Sequence, residues 1–198
     1  MPTEPAYIRN LKAFARGDLT IADLPKLEDE MYGSSDRATV LMLCAVLETC
    51  LTIFLRDRMR PTLNSDDDRR LFDSGGPLRD LSAKTMIGYA FNFFGPETKH
   101  DIDLIRLLRN EFAHSRRSFG FSTPQVLDFC KHLKSPDWPG VMIPKSYLAS
   151  ARHEDLSSYI DKANPKTRYA TACHNIAEHL LQNTQQASIA GVIVPDLR

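Results

Sequence analysis

One apolar stripe with a single acid in it constrains this chain more than any other feature. Val40, Leu43, Cys44, Leu47, Leu51, Phe54 and Leu55 recur at steps of three and four residues, which places them on one side of an α-helix. Ser34, Ser35 and Asp36 offer N-caps ahead of the stripe and Pro61 stops it, so the spacing predicts a long core helix over residues 36–59. Its most apolar part, residues 41–55, is shorter than the roughly 20 residues a membrane-spanning helix needs. Glu48 interrupts that run, and a carboxylate among core positions needs a partner. Arg109 is the natural candidate for a structural Glu48–Arg109 ion pair.

The rest of the pattern is helical almost throughout. Residues 7–16, 20–31 and 64–72 read as short helices, and Gly75-Gly76-Pro77 punctuates the loop that follows. Residues 81–94 are apolar on more than one side, which predicts a helix packed between others and ended by Gly95-Pro96. Residues 97–115 place Ile102, Ile105, Leu108 and Phe112 on a buried side. A short helix follows at 125–134, then an irregular connector with Pro136, Pro139 and Pro144 in which Trp138 is the anchor. A final helix runs over 167–185 with Tyr169, Cys173, Ile176 and Leu180 together, and Val192-Ile193-Val194 is the only strand-like run. The chain therefore reads as one all-α domain over residues 1–198. Its core bundle lies at 30–130, with a connector and C-terminal helix at 135–198.

Composition excludes several classes of function. The 25 Lys and Arg balance the 25 Asp and Glu, so nothing marks a generic nucleic-acid binder, and no compact helix-turn-helix with a basic second helix is visible. Direct DNA binding is not expected. Cys44, Cys50, Cys130 and Cys173 form no C-x-x-C pair and read as buried, reduced thiols of a cytoplasmic protein, and the first five residues carry no signal-peptide pattern. His174 with Glu178 and His179, and the cluster His153-Glu154-Asp155, lack the spacing of a zinc site. Asp66-Asp67-Asp68 before Arg69-Arg70 reads as a self-neutralising helix start rather than a calcium loop. Ser82 reads as an N-cap after a tight turn, and the glycine-rich loop before it lacks a phosphate-loop pattern. No cofactor and no metal is expected.

The informative segment is Arg106-Leu107-Leu108-Arg109-Asn110-Glu111-Phe112-Ala113-His114-Ser115-Arg116-Arg117. Arg106, Asn110 and His114 are successive fourth residues and share a helical face. Arg109 lies about 140° around an ideal helix from His114, a gap that a long side chain can bridge. Four arginines around one histidine make a local positive spot with only Asp103 and Glu111 to offset it. Arginine can bind a phosphate through two hydrogen bonds, and histidine can transfer a proton. The alternative is structural: Arg109 paired with Glu48, Asn110 capping a neighbouring turn, and His114 closing its own helix against the C-terminal dipole.

Two resemblances attach to these residues. Arg109 to His114, R-N-E-F-A-H, resembles the Arg-x4-His signature of HEPN domains. A wider set resembles the mannitol operon repressor family over about residues 30–130. It comprises Asp36-Arg37-Ala38, Leu47-Glu48, Leu71-Phe72-Asp73, Gly76-Pro77-Leu78, Ser82-Ala83-Lys84, Tyr89-Ala90 and Ile105-Arg106 through His114. The repressor resemblance implies an all-helical module that regulates transcription through other proteins, as a homodimer or larger assembly, without a DNA-binding motif of its own. Arg106, Arg109, Asn110, His114 and Arg117 are then the binding residues. The HEPN resemblance implies instead a metal-independent endoribonuclease, with RNA as the partner. In it His114 would be the acid/base, Arg109 the phosphate clamp and Asn110 the orienting group.

Overall fold

A computed structural model describes residues 5–6, 19–24, 26–27, 34–59, 64–141 and 162–190. The helix expected at 7–16, parts of the one at 20–31, the His153 cluster and the run at 192–194 fall outside the described residues. The described part is all-helical. Its α-helices are α1 (Asp36–Arg58), α2 (Ser65–Phe72), α3 (Leu81–Ala90), α4 (Pro96–His114), α5 (Pro124–Cys130) and α6 (Pro165–Ala190), with 3-10 turns at Ile21–Asp23 and Ser135–Asp137.

The predicted stripe builds the centre. Val40, Leu43, Cys44, Leu47, Leu51, Phe54 and Leu55 are all buried on α1, joined by Thr39 and Cys50. Ser35, not Asp36, is the N-cap, accepting from the Ala38 N–H at 3.3 Å. Asp36 is left free to accept from the Phe121 N–H at 2.9 Å and to pair with Lys166 at 3.3 Å, which ties the start of α1 to the loop before α5 and to α6. At 23 residues α1 is longer than its apolar run, and by length and composition alone it could cross a membrane. In the fold half of its most apolar window is buried inside the bundle, as in a core helix.

Helix α1 packs against α4 and α3 on one side and most extensively against α6 on the other. The C-terminal helix therefore packs into the bundle through its long contact with α1. Every residue from Thr167 to Cys173 is buried, because α1, α4, α5 and the Ser135–Asp137 turn surround that stretch. Arg168 holds this corner together: Nε donates to the Cys130 carbonyl at 2.9 Å, the guanidinium also reaches the Leu133 carbonyl, and it pairs with Asp137. Trp138 anchors the connector as expected, buried with its indole N–H donating to Glu97 at 2.9 Å.

Helix α3 departs from expectation in two ways. It ends at Ala90, because Asn92 takes a left-handed conformation (φ 57°) and the Phe93 N–H donates to the Gly88 carbonyl at 2.9 Å, a helix-terminating arrangement that folds the chain back. Phe94 then lies against Gly88, where a Cβ would run into its ring. Nor is α3 sandwiched between helices. Leu81, Lys84, Thr85 and Gly88 are its buried side, whereas Met86 (55%) and Tyr89 (40%) are exposed, and Phe91 just beyond the helix is more so (64%). Apolar count misled here because a lysine and a threonine occupy the inner face. Thr85 satisfies its hydroxyl on the Leu81 carbonyl at 2.8 Å, and Lys84 finds a carboxylate.

Candidate functional site

That carboxylate is Glu48. Lys84 Nζ lies 2.7 Å from Glu48 Oε1, with the lysine side chain 7% and the glutamate 23% exposed. The expected Glu48–Arg109 pair is thus replaced by Glu48–Lys84. Helix α3 feeds Lys84 into the seam with α1, and no carboxylate pairs with Arg109 among the described residues. Arg109 instead donates from Nη1 to the Asn110 side-chain oxygen at 2.9 Å.

Where α1, α3 and α4 meet, a cleft of about 240 Å³ opens, lined by Glu48, Asp80, Leu81, Ser82, Arg106, Arg109 and Asn110. Three residues of the predicted binding set, Arg106, Arg109 and Asn110, thus share a lining with Glu48, without the expected Glu48–Arg109 ion pair. Arg106 has its Nε buried without a hydrogen-bond partner. Its nearest carboxylate, Asp103, stands 3.9 Å away and is already held by Lys99 at 2.7 Å. Ser82 is not the N-cap of α3. Asp80 holds that position, but its side chain makes no cap and accepts from Arg79 at 3.2 Å. The Cys44 thiol, one turn before Glu48, is pushed up to about 11 by burial, against the opposing pull of Arg109 and Arg106.

His114 and Arg117 lie apart from this group. His114 is the last residue of α4, exposed, and absent from the cleft lining. It shares the face of Asn110 but sits one turn, about 6 Å, further along the axis. Arg117 is exposed in the following turn, where the Arg37 guanidinium donates to the Ser115 and Arg117 carbonyls at 3.3 Å and fixes the chain as it leaves the helix. The four arginines of the predicted positive spot divide: Arg106 and Arg109 line the cleft, whereas Arg116 and Arg117 beyond the end of α4 are exposed, as His114 is. Among the described residues no group of three His, Cys, Asp or Glu side chains is placed to hold a metal ion. His174 and Glu178 form a pair within one helix at 3.4 Å.

Sequence reasoning missed Lys84 as the partner of Glu48, and Asp80 and Leu81 as cleft walls. The signal was present: Lys84 is the one charged residue in the run Leu81-Ser82-Ala83-Lys84-Thr85-Met86-Ile87, as Glu48 is in its own stripe. Two opposite charges, each alone on an apolar helix, are natural partners. Comparison with protein-family models, curated proteins and solved structures returns no match.

Proposed function

We propose that this chain is a transcription-regulatory, protein-interacting helical module of the mannitol operon repressor type, acting through partner proteins and as a homo-oligomer, without contacting DNA itself. The observation that carries this reading is the separation of His114 from the cleft that gathers Arg106, Arg109 and Asn110. General acid–base chemistry needs a titrating side chain within hydrogen-bond reach of the reacting atom. The cleft offers guanidinium, amide, hydroxyl and carboxylate groups but no imidazole. Such a set binds; it lacks the imidazole that the endoribonuclease reading assigns as its acid/base. Exposed Met86, Tyr89 and Phe91 on and beside α3 add apolar contact surface of the sort protein partners use.

The test is a deletion strain compared with wild type by transcript profiling, together with the mass of the purified chain in solution. Altered expression of a discrete gene set and a dimeric or larger mass are expected. Unchanged transcripts together with a monomeric mass refute the reading. The exposure of His114 favours one second reading, an endoribonuclease whose site closes only when two protomers meet. It requires RNA cleavage in EDTA leaving 2',3'-cyclic phosphate ends, abolished by His114→Ala. Equal RNA survival with wild type and variant removes it.

A further inference from the structure

We infer that the cleft between α1, α3 and α4 is a binding site for a small phosphomonoester, held by Arg106 and Arg109. The inference stands on the cleft alone and does not depend on the regulatory reading. Most half-buried cations elsewhere in the described fold are answered by a carboxylate: Lys84 by Glu48 at 2.7 Å, Lys99 by Asp103 at 2.7 Å, Lys166 by Asp36 at 3.3 Å, and Arg168 by Asp137. Arg109 has only the neutral Asn110 oxygen, and Arg106 keeps a buried Nε unbonded with its acid 3.9 Å off. The two carboxylates on the same lining are engaged elsewhere, Glu48 by Lys84 and Asp80 by Arg79, so the two guanidinium groups leave donors that an incoming anion would satisfy.

The donor set favours phosphate over carboxylate. Because Asn110 Oδ1 accepts from Arg109, its amide N–H groups remain to donate, and Ser82, from the start of α3, brings a hydroxyl-bearing side chain to the lining. Two guanidiniums, an amide and a hydroxyl exceed what the two oxygens of a carboxylate can take up, whereas a phosphomonoester presents three terminal oxygens. A cleft of about 240 Å³ also leaves room beside the anion for an organic body. Glu48 uses Oε1 on Lys84, so Oε2 is available to accept from a hydroxyl or amine on that body. A phosphodiester has one fewer terminal oxygen and a second substituent for which the cleft must find space, which separates this site from an RNA-backbone contact.

The test is titration of the full chain with inorganic phosphate, methyl phosphate and dimethyl phosphate at constant ionic strength, with sodium chloride as the reference, followed by thermal melting and by the amide NMR signals of Ser82 and the Asn110 side chain. Saturable binding of phosphate and methyl phosphate is expected, with dimethyl phosphate at least about tenfold weaker. Arg109→Ala should weaken methyl phosphate at least about tenfold, Arg109→Lys by less, and Arg70→Ala, on the exposed side of α2, not at all. If Arg106→Ala does not fold, the Arg109 series decides alone. A response no greater than chloride, equal binding by dimethyl phosphate, or unchanged binding in Arg109→Ala would overturn the assignment.

Discussion

Removing either partner of the Glu48–Lys84 pair should destabilise the protein, and the two losses should be unequal. The lysine side chain is 7% exposed and the glutamate 23%, with the glutamate at the edge of an open cleft. Glu48→Gln leaves an ammonium buried on the inner face of α3 with no charge to answer it. Stranding a buried charge costs about 3–5 kcal/mol, and this lysine belongs near the upper part of that range. Lys84→Met leaves a carboxylate that water can reach from the cleft, with Arg106 and Arg109 on the same walls. Its cost should be about 1–2 kcal/mol, because solvent and the guanidiniums screen it. The double variant Glu48→Gln/Lys84→Met strands nothing and should lie within about 1 kcal/mol of Lys84→Met. Urea unfolding at pH 7, read by linear extrapolation, measures all three. Equal losses for the single variants, or Lys84→Met the worse of the two, would refute the claim that α3 buries the lysine more deeply than α1 buries the acid.

Arg168→Ala should cost about 2–4 kcal/mol by leaving the Leu133 carbonyl unpaired and the Cys130 carbonyl with only the Leu133 N–H, and Arg168→Lys should recover less than half, since one ammonium cannot span the set; urea unfolding checks both. The same contact holds the Asp137 carboxyl below its usual range, so its contribution is full above about pH 3.8 and fades as pH falls through the lowered value, a fade that Arg168→Ala should lack in acid titration of the unfolding midpoint. Burial holds His179 below 6.5 and so favours its neutral form, which makes stability full above that pH and progressively lost as pH falls beneath it. His179→Gln should show a smaller drop between pH 7.5 and 5.5. Gly88→Ala should cost about 1–3 kcal/mol through the Phe94 ring, with partial rescue by Phe94→Leu in the same melting assay.

The helices were legible where one periodicity decided the matter. On α1 and α4 the apolar steps name most of the buried residues, and Ile102, Ile105, Leu108 and Phe112 lie inside as the spacing requires. Legibility failed where a long-range contact overrode composition. Nothing local to residues 81–94 says that Lys84 points inward while Met86 points out, because the reason lies 36 residues away at Glu48. The long contact of α6 with α1 was hidden for the same cause: its alanines and threonines, Ala170, Thr171 and Ala172, carry little hydrophobic signal but allow close approach of neighbouring helices on every side. Of the candidate site, the i, i+4 spacing places Arg106 and Asn110 on one lining, where α1 adds Glu48. His114 shares their face but lies outside that lining, one turn beyond Asn110 at the last residue of α4.

Stability alone gives little reason for the polar seam. Replacing a buried ion pair by apolar residues of similar size is often neutral or stabilising, so a leucine at 48 and a methionine at 84 would serve packing at least as well. Such a change would also remove a carboxylate from the lining that Arg106 and Arg109 share. The Lys84–Glu48 pair instead keeps that carboxylate there, with one glutamate oxygen committed and one available. Sequences break local rules most often where a site needs them broken. Here the acid in the α1 stripe and the lysine inside α3 are the two breaches; they pair with each other, and the acid lines the same cleft as Arg106 and Arg109. The guanidinium pair is poorly answered inside the fold and well placed to be answered from outside it.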